Sequence, residues 1–322
     1  MNCIQTKAKR LKIMNILITG INGFIGSNLI TALKDQHCIF GLDIISTQKE
    51  GVSKTYFWNE LEKINSIDVI IHLAGIAHDT KKQTSAETYF DINTGLTKKI
   101  YDWFLKSSAK KFIFFSSVKS VADRVIGGLL TEEAIPKPVG AYGESKIAAE
   151  NYILNHLSND KIVFILRPCM VHGPGNKGNL NLLYKFVKKG IPYPLGAYEN
   201  RRSYTSIDNL TFILLQLIGK EIPGGIYNVG DDESLSTNDL IALMAETMNK
   251  PNRTWKWNKM LLEFCAGLGS LLHLPFNSDR LQKLTENYVV SNDKIKKALG
   301  ITKMPFTAKE GFIITINSFE NK

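Results

Sequence analysis

Short apolar runs alternate with stretches of helical apolar spacing through the first half of the chain. Asn15-Ile-Leu-Ile-Thr19, Cys38-Ile-Phe-Gly-Leu42, Asp68-Val-Ile-Ile-His-Leu-Ala-Gly75, Lys111-Phe-Ile-Phe-Phe-Ser-Ser117 and Ile162-Val-Phe-Ile-Leu-Arg-Pro168 are brief and rich in β-branched or aromatic residues. Their near-continuous apolarity predicts parallel strands buried on both faces. Ser27 to Leu33, Ala86 to Lys106 and Ala141 to His156 carry helical spacing between them. This order predicts an α/β fold, a doubly wound parallel sheet of the Rossmann type with ligands at the C-terminal strand ends. Ala74-Gly75, Ser116-Ser117 and Arg167-Pro168 all fall at such ends.

After Pro168 the pattern changes. His172-Gly-Pro-Gly-Asn-Lys-Gly-Asn179 is loop-forming and a helix follows to Lys189; Gly190 to Arg202 is again rich in turns. Ser206-Ile-Asp-Asn-Leu210 then opens an apolar helix, and Gly225-Ile-Tyr-Asn-Val-Gly230 reads as a further strand. The expected organisation is a dinucleotide-binding domain over 14–170 plus 206–232. A smaller, interleaved α/β substrate lobe takes 171–205 plus 233–322, and residues 1–13 form a disordered basic leader. A length of 322 residues exceeds one core and supports two lobes.

Composition narrows the function. No stretch reaches the ~18 uninterrupted apolar residues of a transmembrane helix. Met260 to Leu274 is unusually apolar, yet too short to span, so burial in the small lobe or a subunit interface is expected and peripheral membrane contact is not. Cys3, Cys38, Cys169 and Cys265 are scattered, implying neither a disulfide framework nor a metal site. The formal charge of +10 rests on lysine pairs such as Lys98-Lys99, Lys110-Lys111, Lys188-Lys189 and Lys296-Lys297, spread along the chain. They read as solvated helix ends with a mild bias toward anionic substrates, and no nucleic-acid stripe is present.

The chemistry concentrates in three places. Gly20-Ile-Asn22-Gly23-Phe24-Ile25-Gly26 lies between the first strand and a helix. Gly20 suits a tight turn, Gly23 lets backbone approach a pyrophosphate, and Gly26 lets the helix pack close to its strand. Asp43 ends the second strand about twenty residues on, where a carboxylate binds ribose hydroxyls and repels a 2′-phosphate, favouring NAD over NADP. Tyr142 and Lys146 share one face of a helix, with Ser117 at a strand end upstream. A phenol, an ammonium and a hydroxyl form an acid/base set for moving a proton as a hydride moves.

These motifs in this order, from Met14 onward, resemble the extended short-chain dehydrogenase/reductases of the NAD-dependent epimerase/dehydratase family. The resemblance rests on the glycine turn, His72-Leu-Ala-Gly75, Asn93, Ser116-Ser117, Tyr142-x-x-x-Lys146 and Arg167-Pro168. It implies that Ser117, Tyr142 and Lys146 are catalytic. Ala74, Gly75, Asn93, Arg167 and Pro168 would join the glycine turn and Asp43 in holding NAD, with Tyr142 and Lys146 also touching it. The resemblance further implies a UDP-sugar substrate near Ser117, Asn179, Leu180 and Arg202. Arg280 is a further candidate for the phosphates and His78 for the sugar, with a surface arginine and a polar loop histidine as the plain alternatives. A homodimer and a cytoplasmic location are expected. Val118-Lys119-Ser120 lacks the Asp-Glu pair of the 4,6-dehydratases. The looser similarity favours reductases of the C4 ketone of a UDP-4-keto-6-deoxy-N-acetylhexosamine in surface-polysaccharide synthesis, with a UDP-sugar 4-epimerase as the alternative. A non-catalytic NAD sensor is a reading of another class, although it has little need of Ser117, Tyr142 and Lys146 together.

Overall fold

The apolar runs assemble into one sheet. The computed structural model describes residues 13–76, 84–176, 178–272, 274 and 276–320. β1 (Asn15–Thr19) leads through a glycine turn to α1 (Phe24–Leu33), followed by β2 (Cys38–Asp43), β3 (Lys54–Phe57) and β4 (Val69–His72). The helical stretch after it is interrupted: α2 (Ala86–Tyr89) passes through a π-helical turn (Phe90–Gly95) into α3 (Leu96–Lys106). β5 (Lys111–Phe115), α4 (Ala141–Leu154) and β6 (Ile162–Pro168) complete the alternation. With β9 (Gly225–Val229) the order is β3-β2-β1-β4-β5-β6-β9, every pair parallel.

Both faces of the sheet are covered, as continuous apolar strands require. Ile16, Ile18, Ile71, Ile113 and Phe164 face one core with α1 and α6 (Ile207–Gly219). Leu17, Ile70, Phe112, Phe114 and Ile165 face the other with α3 and α4, so neighbours along each strand alternate sides. The strand order reverses direction beside β1 and β4, which opens a crevice at their C-terminal ends.

The chain leaves the sheet at β7 (Met170–His172), runs through α5 (Asn179–Lys188) and returns at β8 (Tyr204–Ser206), which pairs with β7. The remaining helices are α7 (Thr237–Thr247), α8 (Lys259–Leu271), α9 (Ser278–Thr285), α10 (Asp293–Leu299) and α11 (Ala308–Glu320). Leu180, Tyr184, Met244, Phe312 and Ile316 form the core of this second lobe. α10, in the segment assigned to that lobe, instead places Ile295 and Leu299 in the first core of the sheet. Asp231, just after β9, fastens the start of α6 to the end of that strand: it accepts from the Ser206 N–H at 3.0 Å and the Asn209 amide at 2.7 Å.

Two expectations change. Lys111 is no solvated helix end; its Nζ is buried and donates to the carbonyls of Leu217, Ile218 and Lys220 at 2.7–3.0 Å, closing the C-terminal end of α6. The lobe buries only a narrow stripe of α8, namely Leu262, Ala266 and Gly269. Among the described residues no helix is long and apolar enough to cross a membrane.

Candidate active site

The glycine turn is shaped by contacts that side chains would break. Gly20 has φ +67°, and a Cβ there would come within 2.9 Å of the Ala74 backbone. A Cβ on Gly26 would meet the Gly20 and Ile21 carbonyl oxygens at 2.8 and 2.7 Å. Gly23 caps α1 without a side-chain acceptor, so the first-turn N–H groups and the helix dipole are available to a pyrophosphate. Ile25 packs against the first core, and the Phe24 ring lies against Gly173 and Gly175.

Asp43 is buried at the end of β2, its Oδ2 accepting from the Asn22 N–H at 2.9 Å and its Oδ1 from the Ile44 N–H at 2.7 Å. Carboxylate oxygens accept more than one bond each, which leaves capacity for ribose hydroxyls. The Asn22 amide group holds the loop after β2, donating to the Ile45 carbonyl and accepting from the Thr47 hydroxyl. Lys49, unmarked by any local pattern, reaches the same turn: its Nζ donates to the Ile21 carbonyl at 3.3 Å and to Ser27 Oγ at 3.0 Å. It brings a cation to the N-terminal end of α1.

A buried relay fixes the end of β4. The Ala74 N–H donates to Thr19 Oγ1 at 3.0 Å, and that hydroxyl meets His72 Nδ1 at 2.6 Å. His72 Nε2 meets Thr97 Oγ1 at 2.9 Å, and the Thr97 hydroxyl donates to the Asn93 carbonyl at 2.6 Å. Thr97 has thus used its proton, so Nε2 must carry the imidazole hydrogen and Nδ1 must accept from Thr19. Burial, with the nearby Lys146 charge, pushes the His72 pKa down to about 3, which keeps the ring neutral.

Asn93, in the π-helical turn, binds the same loop. Its Oδ1 accepts from the Ile76 N–H at 2.8 Å, and its amide donates to the Ile76 carbonyl at 3.2 Å and to Ser145 Oγ at 3.0 Å. A Cβ on Gly75 would lie 2.8 Å from Asn93 Oδ1 and 3.2 Å from Lys146 Nζ. The glycine thus makes room for both.

Ser116 and Ser117 point in opposite directions at the end of β5. The Ser116 hydroxyl donates to Glu150 on α4, whereas Ser117 hydrogen-bonds to the Tyr142 phenol. Ser117 Oγ accepts from the Lys119 N–H at 3.2 Å, which frees its own proton for the phenol. Burial raises the Tyr142 pKa, the Ser117 bond opposes that rise, and Tyr89 adds to it. Lys146 Nζ donates to the Phe115 carbonyl at 2.9 Å. Burial lowers its pKa to about 8, against the pull of Glu150.

Arg167, expected beside the cofactor, has its guanidinium paired with Glu150 of α4. Its Nε reaches both Glu150 oxygens at 3.0 and 3.1 Å, and its Nη2 lies 2.5 Å from Oε2, with both side chains buried. A buried carboxylate needs a cation, and the pair occupies the guanidinium inside the sheet–α4 interface. Pro168 ends β6 beside it.

The substrate side is more dispersed. Asn179 opens α5, and the Leu180 side chain packs in the second core. Arg202 Nη2 donates to the Lys283 carbonyl and lies 3.6 Å from Glu286 Oε1, while its buried Nε has no hydrogen-bond partner among the described residues. Arg280 is exposed on α9, its backbone N–H taking the Asn277 cap. His78 lies outside the described residues. The segment after β5 is joined to the α9 region: Tyr288 donates to the Ala122 carbonyl at 2.7 Å, Lys119 lies 4.5 Å from the Tyr288 ring, and Arg124 donates to Gln282 on α9 at 2.8 Å. Among the described residues no group of His, Cys, Asp and Glu could hold a metal.

Residues 16–230 match the NAD-dependent epimerase/dehydratase family. A UDP-glucose 4-epimerase from Vibrio cholerae is 31% identical over 95% of this chain and 95% of its own length. An N-acetyl-alpha-D-glucosaminyl-diphospho-ditrans,octacis-undecaprenol 4-epimerase from Escherichia coli O157:H7 is 28% identical over 93% of this chain and 90% of its own. Among solved structures, MoeE5 in complex with UDP-glucuronic acid and NAD shares the fold with a TM-score of 0.75 at 20% identity, covering 95% of this chain and 99% of that one. With its glycine turn, Asp43 and the Ser117, Tyr142 and Lys146 set in place, the chain belongs to the NAD-dependent epimerase/dehydratase family and is an NAD-dependent enzyme.

Proposed function

We propose that this enzyme inverts the C4 hydroxyl of a UDP-sugar. One observation carries the reading: Ser117 bonds the Tyr142 phenol beside the buried Lys146, in a chain 31% identical to a UDP-glucose 4-epimerase along nearly its whole length. NAD, when bound, would take the hydride from C4 and give it back to the opposite face of the resulting ketone, and its positive ring would add to the field of Lys146. Tyr142 withdraws the proton from the sugar hydroxyl and returns it after the sugar turns over. An ordinary phenol, with a pKa of about 10, needs several kcal/mol of help to do this at neutral pH. Ser117 supplies a hydrogen bond and Lys146 a charge one helical turn away. Asn93 and His72 set the strand-end loop beside them, and Arg202 is the group in the second lobe suited to a diphosphate.

The ketoreductase reading uses the same three side chains, so chemistry alone must separate the two. The test incubates the enzyme with a panel of UDP-sugars, including 4-keto-6-deoxy-N-acetylhexosamines, with and without added NADH. Interconversion of C4 epimers without net cofactor consumption supports the epimerase. Stoichiometric NADH oxidation on the ketosugar, with no epimer formed from any hexose, replaces it with the reductase. The panel includes a sugar diphosphate on a polyprenol, the class named in the Escherichia coli relative.

A further inference from the structure

α8 is apolar on the side that the protein leaves open. Its packed stripe is Leu262, Ala266 and Gly269, and Met260, Phe264, Leu268 and Leu271 project from the opposite side. Met260 is 78% exposed, Phe264 64% and Leu271 74%, with Leu261, Leu272 and Leu274 also exposed. A helix apolar all round is ordinarily buried, so this face calls for a covering. Just before it, Trp255 and Trp257 stack at 6.4 Å and are about half exposed, at 50% and 46%. Their backbone is pinned: the Trp255 N–H donates to the Tyr193 carbonyl at 2.8 Å, and its carbonyl accepts from Gly196 at 3.0 Å.

Charge identifies the covering. Lys250, Arg253, Lys256 and Lys259 are exposed around the tryptophans, and the stretch from 250 to 261 holds no carboxylate. Glu263, the acid on α8, accepts from Tyr198 on the lobe at 3.3 Å. A second copy across a two-fold axis would set these cations against themselves. Exposed leucines and phenylalanine, paired tryptophans and flanking lysines are the composition of a helix lying in a lipid interface. At 13 residues α8 extends only about 20 Å, less than the ~30 Å hydrocarbon core, so it lies on a bilayer rather than across it. We propose that the outer face of α8, with Trp255 and Trp257, docks this enzyme on an anionic phospholipid bilayer.

The test sediments the full chain with vesicles of phosphatidylcholine and phosphatidylglycerol in equal parts, and with phosphatidylcholine alone. The wild type should pellet with the anionic vesicles, more weakly at high salt, and its tryptophan emission should shift to the blue. Combined Phe264→Ser, Leu268→Ser and Leu271→Ser should lower partitioning by about tenfold or more, because several buried apolar groups are lost together. All three positions are exposed, so unchanged NAD binding and melting temperature would show an intact fold. Lys256→Gln with Lys259→Gln should weaken binding to the anionic vesicles specifically. A wild type that stays in the supernatant with anionic vesicles at low salt overturns the proposal, as does pelleting unaffected by the triple substitution. So does a wild-type dimer that the triple substitution converts to monomer in analytical ultracentrifugation, since the face would then be covered by a second copy.

Discussion

Lys146 holds its charge in a place that resists it. The unfolded side chain keeps its proton up to about 10.5, the folded one only to about 8, because burial outweighs the attraction of Glu150. Between those values the unfolded state binds more protons, so stability rises with pH through that window and the penalty is fully present below it. Lys146→Met should therefore stabilise the apoenzyme at pH 7 by roughly 1–2 kcal/mol, the relieved burial less the lost bond to the Phe115 carbonyl. The gain should shrink by pH 10, where the wild-type lysine is already neutral in the fold; urea denaturation at the two pH values measures it, and turnover should collapse. A destabilised Lys146→Met would mean that the charge is better solvated than its burial implies. Tyr142→Phe should fold and bind NAD while losing turnover by about two to four decades, since the substitution removes the proton-carrying oxygen. Near-wild-type turnover of the substrate found in the panel would remove Tyr142 from the acid/base role.

At the scale of elements, β1, β4 and the start of α3 are held together by the Thr19–His72–Thr97 relay. The unfolded imidazole takes its proton near pH 6.5, and the folded one resists until about 3. The stability this represents is complete above 6.5 and drains as pH falls through that interval. The wild type should lose up to about 1.4 kcal/mol per pH unit there from this one group, a slope that His72→Gln should lack. Equal slopes in a urea series from pH 7 to 4 would mean the ring is protonated in the fold. Much of this scaffold was legible in the sequence, because burial on both faces leaves a continuous apolar run and the glycine turn marks where strand becomes helix. β3, β7 and β8 were not: β3 is an edge strand with no fully buried position and so lacks an apolar run, and β7 and β8, at 3 residues each, carry too little periodicity and exist through their pairing. The interruption at Phe90–Gly95 keeps helical spacing and leaves no local sign. Of the site, Ser117, Tyr142 and Lys146 could be read from type and spacing, whereas the engagement of Arg167 by Glu150 depends on two elements meeting in space. The apolar character of α8 was equally plain, but which side would stay open was decided by packing.

For the molecule as a whole, the proposed reaction needs the two lobes to grip separate ligands: the sheet domain the cofactor, the second lobe the diphosphate of the sugar. Arg202, the residue proposed for the second task, already has a rival, since Glu286 lies 3.6 Å from Nη2 and also 3.9 Å from Arg124 Nε. A diphosphate arriving at Arg202 must compete with that carboxylate, which makes the pair a balance rather than a fixed strut. Arg202→Ala should therefore raise the Kd for UDP by about one to two decades, the worth of roughly 1.5–3 kcal/mol for a charge-assisted contact, and leave NAD affinity nearly intact. Glu286→Gln should act in the opposite direction, tightening UDP by about threefold to tenfold as the internal competitor is neutralised. Calorimetric titration of the wild type and both variants with UDP and UDP-N-acetylglucosamine measures these changes. If UDP affinity is unmoved in both while Arg202→Ala lowers the melting temperature, the arginine serves to hold α9 through the Lys283 carbonyl, and the diphosphate must be gripped by other cations of the second lobe.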